Sequence, residues 1–144
     1  MTNRIVIIHD LGHATAAMRA AAAYGRRVIL RSAPNAASYL SAAVFNAIVE
    51  DGAQAVPGAR FDAVYDCGAE PGFALNALRH GVKTVRVDAA GDVLRKISEI
   101  AEQLGASVEA YDGDGDGDGD VAPVLDLALE KDPDAACRDW FDRP

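Results

Sequence analysis

The fold is decided by residues 4–30, RIVIIHDLGHATAAMRAAAAYGRRVIL, in which two short apolar runs flank an alanine-rich segment. The runs Ile5-Val6-Ile7-Ile8 and Val28-Ile29-Leu30 are continuous rather than alternating, which is typical of strands covered on both faces of a parallel sheet. The segment between them has a helical composition and ends at Gly25, a residue that commonly terminates helices. The stretch therefore predicts a β-α-β unit with parallel strands.

The same alternation continues along the chain. It predicts five strands, at 4–8, 27–30, 61–65, 83–87 and 107–111, separated by four helices, at 13–24, 35–50, 70–80 and 92–104. This order favours an α/β fold in which a doubly wound, three-layer arrangement surrounds a parallel five-stranded sheet. The first prediction is the flavodoxin-like strand order 2-1-3-4-5, and the alternative is a Rossmann-type order 3-2-1-4-5. A closed eight-stranded barrel is excluded by the length of 144 residues.

Three regions are distinguished by composition. Residues 1–111 form the predicted α/β domain, residues 112–120 alternate Asp with Gly and are predicted to be a flexible linker, and residues 121–144 form an acidic tail. The tail is predicted to contain a short amphipathic helix over 121–130. Trp140 and Phe141 near its end indicate docking, either on the domain or on a second copy in a homo-oligomer.

The net charge of −8 is confined to the end of the chain. Residues 1–111 carry 11 basic and 11 acidic side chains, whereas residues 112–144 carry 3 basic and 11 acidic ones. Because no cluster of positive charge is available for phosphates, nucleic acid is not expected as a partner. No apolar run approaches the roughly 18 residues of a membrane span, and no secretion signal is recognised, so we expect no membrane partner and a cytoplasmic location.

Polar residues follow the ends of the predicted strands, where parallel sheets bind their ligands. In the order 2-1-3-4-5, strands 1, 3 and 4 are neighbours, so Asp10, Asp66 and Asp88 should meet at one rim. Carboxylates that share a rim repel one another unless a cation neutralises them, and oxygen ligands suit Mg²⁺ or another divalent cation. The hypothesis is therefore a metal site formed by these three aspartates, while the competing interpretation is that each aspartate caps a helix.

The rim also defines a predicted small-molecule site. Its ligand-binding residues are predicted to be His9, Asp10, His13, Ser32, Asp66, Cys67 and Asp88. Within it Cys67 is a candidate nucleophile, since a following helix would lower the pKa of its thiol, and His9 is the candidate base. The alternative for Cys67 is a buried side chain that acts as a small hydrophobe. No nucleotide-binding motif is present, so no nucleotide cofactor is predicted.

The acidic rim is similar to that of response-regulator receiver domains at Asp10 and at Asp66, which is followed by Pro71 and Gly72. The chain departs from the receiver pattern elsewhere. Asp88 stands where a receiver has Ser or Thr, and Asp112 stands where it has Lys. Two functions are thus carried forward: a small-molecule or cation-dependent site at the sheet edge, and a non-catalytic interaction module that uses the tail.

Overall fold

The computed structural model describes residues 4–111 and 123–144. All strands of its six-stranded sheet are parallel, and their order is β5-β4-β3-β2-β1-β6. In chain order the strands are β1 Arg4–Ile7, β2 Arg27–Arg31, β3 Arg60–Asp66, β4 Thr84–Val87, β5 Ser107–Ala110 and β6 Val124–Asp126. The predicted α/β class with a parallel sheet is confirmed.

The described residues divide into two compact units, of which the first comprises residues 4–33, 47–63 and 123–144. Here β1 pairs with β2 on one side and with β6 on the other, with Ile7 opposite both Arg31 and Asp126. Helix α1, Leu11–Ala23, packs against helix α5, Pro133–Asp142. Alanine accounts for most of the buried face of α1, so the two helices can approach closely.

The second unit comprises residues 34–46 and 64–111. Strand β4 pairs with the end of β3, where Asp66 lies opposite Arg86, and with β5 along its whole length. Helices α3, Pro71–Arg79, and α4, Gly91–Gln103, pack on each other and on these strands. Helix α2, Ala42–Ala55, and β3 each have residues in both units.

The predicted strand orders are wrong. Instead of 2-1-3-4-5 or 3-2-1-4-5, the first five strands follow one another consecutively, and β2 separates β1 from β3. The sequence pattern fixes the alternation of strands and helices, but a right-handed crossover can place the next strand on either side of the sheet. Because β2 lies between β1 and β3, the adjacency that would have joined Asp10 to Asp66 is lost.

The tail also differs from its prediction. In place of a helix over 121–130, residues Val124–Asp126 form β6, and a turn of 3₁₀-helix follows at Leu127–Leu129. The edge of β1 offers backbone hydrogen bonds to this segment, which outweigh its weak helical pattern. Leu127 is buried, whereas Leu129 is 82% exposed, so the apolar residues do not share a helical face. The predicted linker, 112–120, lies outside the described residues.

Helix α5 was not predicted, although its start carries a recognisable signal. The carboxylate of Asp132 accepts a hydrogen bond from the backbone N–H of Ala135, and Pro133 occupies the first turn. Trp140 and Phe141 are buried in this unit, so the docking expected from the sequence takes place on the chain itself.

Among the helices of residues 4–111 and 123–144, none has the length and apolarity needed to cross a membrane.

Phe141→Ala tests the packing of α5. Phe141 is 1% exposed, so removing its ring should lower the free energy of unfolding by about 3–5 kcal/mol, measured by urea denaturation. Leu129→Ala, at an exposed position of the same segment, is the control and should change stability by about 0.5 kcal/mol or less. Equal effects of the two substitutions would contradict the observed docking of α5.

Candidate functional site

A histidine–carboxylate pair lies at the carboxyl end of the first unit's sheet. His9 follows β1 by two residues, and Asp126 ends β6, the parallel neighbour of β1. The Nε2 atom of His9 is 2.7 Å from Oδ1 of Asp126, and both side chains are partly exposed. Parallel pairing of the two strands thus brings together residues that are 117 positions apart in the sequence.

The side chain of Asp126 is held in position by a backbone group two residues further along the chain. Its Oδ1 atom accepts a hydrogen bond of 2.9 Å from the backbone N–H of Ala128 at the start of the 3₁₀ turn. A carboxylate can only accept hydrogen bonds, so the Nε2 atom of His9 must be the donor in their contact. When His9 is neutral, its proton is therefore on Nε2 and its Nδ1 carries a lone pair.

His13 lies beside this pair, and a different ring atom is engaged. Its Nδ1 accepts a hydrogen bond of 3.0 Å from the backbone N–H of His9, which requires an unprotonated Nδ1. The neutral ring therefore carries its proton on Nε2. The two imidazoles meet edge to face, with ring centroids 5.6 Å apart and an interplanar angle of 87°.

Asp10 has a structural role as the N-cap of α1. Its Oδ1 atom accepts a hydrogen bond of 2.8 Å from the backbone N–H of His13, so the capping interpretation holds at this position. The same oxygen is 3.8 Å from the ring Nδ1 of His13, which is too far for a hydrogen bond. Asp10 therefore fixes the start of the helix that carries His13.

The second unit contains a separate polar cluster centred on Asp66, whose side chain is buried. Oδ1 of Asp66 accepts hydrogen bonds from the backbone N–H groups of Asn35 and Gly68, at 2.8 and 2.9 Å, and from the hydroxyl of Tyr111 at 2.6 Å. Gly68 has a φ of 60°, and a Cβ atom there would lie 2.3 Å from Oδ1 of Asn35, so only glycine fits this turn.

The charge of Asp66 is balanced by an arginine. Nε of Arg86 lies 3.5 Å from Oδ2 of Asp66, and the same guanidinium forms an ion pair with Glu109. Its Cζ atom also lies 4.5 Å from the centroid of the Tyr111 ring. Burial raises the pKa of Tyr111, and the hydrogen bond to Asp66 raises it further. The cation was predicted because neighbouring carboxylates would repel one another. At Asp66 the guanidinium of Arg86 supplies the positive charge instead.

Asp88 does not act as a helix cap. Asp88 is exposed, and the N-cap of α4 is Ala90, which makes no side-chain capping bond. Ser32 is fully buried in the first unit and takes part in an interaction there. The capping interpretation is therefore wrong for Asp88.

The environment of Cys67 is the opposite of what a nucleophile needs. Its side chain is fully buried, and burial, followed by the nearby charge of Asp66, raises the pKa of the thiol to about 12. The proposed pairing of Cys67 with His9 stays a prediction, but the pKa of Cys67 does not favour it.

The metal hypothesis loses its premise. It needed β1 and β3 to be neighbours, and they are not. Within residues 4–111 and 123–144, no group of three or more His, Cys, Asp and Glu side chains is arranged to hold a metal ion. Asp10 caps a helix, Asp66 accepts buried hydrogen bonds and pairs with Arg86, and Asp88 faces solvent, so each has a different environment.

The candidate site residue that the sequence interpretation does not include is Asp126. The sequence pattern predicts a helix over 121–130 that contains Asp126, and nothing in the local pattern indicates a position beside β1. The available signal was the short run Val124-Leu125-Asp126, an apolar pair ending in a carboxylate, which repeats the pattern of an apolar strand followed by a polar residue.

Comparison with known proteins identifies a fold. No protein-family model and no curated protein matches the chain. Among solved structures it is similar to a proposed fructose-1,6-biphosphate aldolase of Coccidioides immitis, with a TM-score of 0.63 and 16% identity, covering 76% of this chain and 40% of that one. It is also similar to the YdjI aldolase of Escherichia coli K12, with a TM-score of 0.62 and 20% identity, covering 76% and 44%.

The chain spans less than half the length of these two structures. At such identities the likeness shows the fold alone, which is an aldolase-like fold related to the TIM barrel. The consecutive order of β1 to β5 agrees with it, because consecutive parallel strands are the defining order of that barrel.

Asp66→Ala distinguishes a buried network from mutually repelling carboxylates. Removing the side chain leaves buried N–H and O–H donors without their acceptor and weakens the pairing of Arg86. We expect the free energy of unfolding to fall by about 3–5 kcal/mol in urea denaturation. Asp88→Ala, at another strand end but exposed, is the control and should change it by about 0.5 kcal/mol or less. Stabilisation by Asp66→Ala would restore the repulsion hypothesis.

Both cysteines should be unreactive in the folded protein. Burial raises the pKa of Cys67 and of Cys137 to about 12, so about one thiol in ten thousand is ionised at pH 8. An aromatic disulfide reagent should label neither in buffer and both in urea. Cys67→Ser and Cys137→Ser identify the contribution of each thiol. Rapid labelling of Cys67 in buffer would revive its assignment as a nucleophile.

Proposed function

We propose that the chain binds a small polar molecule at the carboxyl ends of β1 and β6, and that His9 exchanges a proton with it. The observation that carries this proposal is the 2.7 Å contact between His9 Nε2 and Asp126 Oδ1 in a partly exposed setting. A histidine held by a carboxylate is the arrangement with which enzymes orient a general base.

The chemistry of the pair follows from its hydrogen bonds. Asp126 fixes the neutral His9 ring with its proton on Nε2, so the lone pair of Nδ1 is available to accept a proton. Once His9 is protonated, the negative charge of Asp126 stabilises the resulting imidazolium. Asp126 is thus a positioning residue, and His9 is the group that would contact the ligand.

The location supports a ligand site. Open parallel sheets and TIM barrels both place their ligands at the carboxyl ends of the strands, where the loops after each strand are free to vary. The two solved structures with a similar fold are both named as aldolases, and the name of one of them includes fructose-1,6-biphosphate. This likeness supports a small polar molecule as the ligand, and no reaction of this chain is taken from it.

The alternative function, an interaction module that uses the tail, is not favoured by a specific observation. It was suggested by apolar residues near the end of the chain. Trp140 and Phe141 are buried in the same unit as α1, which accounts for these residues without a second chain.

The proposal is tested by mapping ligands with histidine-labelled protein. A library of small polar compounds that includes fructose 1,6-bisphosphate is added, and the ring signals of the three histidines are followed by NMR. We expect binders that shift the signals of His9 and His13 and leave that of His80 unchanged. Their affinity should fall at least tenfold in His9→Gln and in Asp126→Asn, a loss of about 1.4 kcal/mol or more.

The control is His80→Gln. His80 lies in the second unit, where its ring Nδ1 is 2.7 Å from the backbone oxygen of Asn76 in the same helical turn. This substitution should leave every affinity unchanged. Compounds that bind with the same affinity to wild type and to His9→Gln would refute the proposed site.

A further inference from the structure

Helix α2 has an exposed apolar side in addition to its buried one. The buried side carries Ala42, Phe45 and Val49, which repeat with the helical period. Ala43 and Val44 lie on the other side and are exposed, with 49% of Val44 accessible to solvent. Because the exposed side of a surface helix normally carries charged or polar residues, α2 departs from the usual pattern at these positions.

This exposed side lies within the longest run of the sequence that lacks charged residues. Residues 32–49 contain no Asp, Glu, Lys, Arg or His, although charged residues make up 25% of the chain. Tyr39, which precedes α2 in this run, is 69% exposed. The exposed side of α4, by contrast, carries Arg95 and Glu99, which form an ion pair. Depletion of charge together with exposed apolar and aromatic residues is typical of protein–protein contacts.

We propose that two copies of this chain associate through the α2 contact surface, which consists of Tyr39, Ala43, Val44 and Ala47. The net charge of −8 makes the copies repel each other, so they associate most readily where neither presents a charge. Burial of apolar area at this surface opposes the repulsion. The proposal is independent of the ligand site at His9.

The α2 contact surface suits two antiparallel helices related by a two-fold axis. Ala43 and Ala47 are both exposed and lie one helical turn apart on the same side of α2. Small side chains at these positions allow two helix backbones to approach closely. A similar packing occurs within the chain, where the alanine-rich α1 packs against α5.

This arrangement also brings a carboxylate to a helix start. With Ala43 of one copy opposite Ala47 of the other, Glu50 lies opposite residue 40, just before α2 begins in the other copy. Glu50 is exposed and continues the stripe of Ala43 and Ala47. The N–H groups at a helix start favour a nearby negative charge, and α2 has no acidic residue in its own first turn. The second copy supplies that charge.

The size of the surface determines the expected strength of the dimer. A stable protein interface buries about 800 Å² on each partner, which is more than one side of a helix and a preceding tyrosine provide. We therefore expect a reversible dimer with a dissociation constant of about 10–100 µM.

Sedimentation equilibrium of the full chain tests the proposal. The average mass should rise with concentration toward twice the monomer mass. Val44→Glu places a charge on both sides of the contact, so the dissociation constant should increase at least tenfold. Val93→Glu is the matched control, because Val93 lies on α4 and is 46% exposed, and it should dimerise like the wild type. Urea denaturation checks that both variants fold.

Cross-linking provides a second measurement that does not place a charge on α2. Ala43→Cys and Ala47→Cys are mixed in equal amounts and oxidised, while the native Cys67 and Cys137 are buried. Because the proposed arrangement places these two positions opposite each other, covalent dimers should form at least tenfold faster than with Val93→Cys.

The outcomes separate the possible occupants of this surface. Dimerisation that Val44→Glu weakens and Val93→Glu preserves supports the proposal, as does rapid cross-linking of the mixture. A monomer mass at every concentration together with no excess cross-linking overturns it. Equal weakening by both glutamate variants also overturns it, because the association would not then use α2. A monomer that floats with phosphatidylcholine vesicles, and loses this in Val44→Glu, would assign the surface to lipid and overturn the proposal.

Discussion

The parallel pairing of β6 with β1 is the interaction on which the first unit depends. Three residues, Val124–Asp126, satisfy the backbone groups along one edge of β1 and end with a carboxylate at the level of Ile7. The same pairing precedes Leu127, which is buried, and α5, which covers α1. This short strand thus extends the sheet, leads into the buried Leu127, and places a carboxylate beside His9.

The acidic residues at the strand ends illustrate how similar positions acquire different roles. Asp10 satisfies the free N–H of a helix, and Asp126 orients a histidine. Asp66 is buried, and a buried carboxylate is tolerated only if its hydrogen bonds and its charge are matched. Three donors and the guanidinium of Arg86 provide that match within the second unit. The polar residues around Asp66 are accounted for by the need to compensate its buried charge, and no ligand is required to explain them.

The sequence was sufficient to predict the class of fold and the approximate positions of five strands and four helices, because apolar periodicity is a local property. It could not predict the strand order, since helices of the same pattern can return a strand to either side. The length argument concerns a closed eight-stranded barrel and does not address the consecutive order observed for β1 to β5. The run at 124–126 is too short for periodicity to distinguish a strand from a helix.

The sequence predicted two residues of the candidate site, His9 and His13, but not the third, Asp126. His9 and His13 were named because they follow an apolar strand, and that reasoning depends only on neighbours in sequence. Asp126 could not be named, because its contact with His9 is created by a pairing between distant segments. The assignment of Cys67 as a nucleophile stays a prediction, but burial raises the pKa of its thiol to about 12, and burial depends on tertiary packing that neighbours in sequence do not specify.

The sequence separation of 117 residues between His9 and Asp126 has a consequence for biosynthesis. Contacts between distant segments form slowly, because the chain must close a large loop before the contact contributes any stability. A ribosome emits β1 long before β6, so during translation the edge of β1 is open and His9 is without its carboxylate. The contact between His9 and Asp126 therefore forms only after β6 has emerged, and until then no carboxylate fixes the tautomer of the His9 ring.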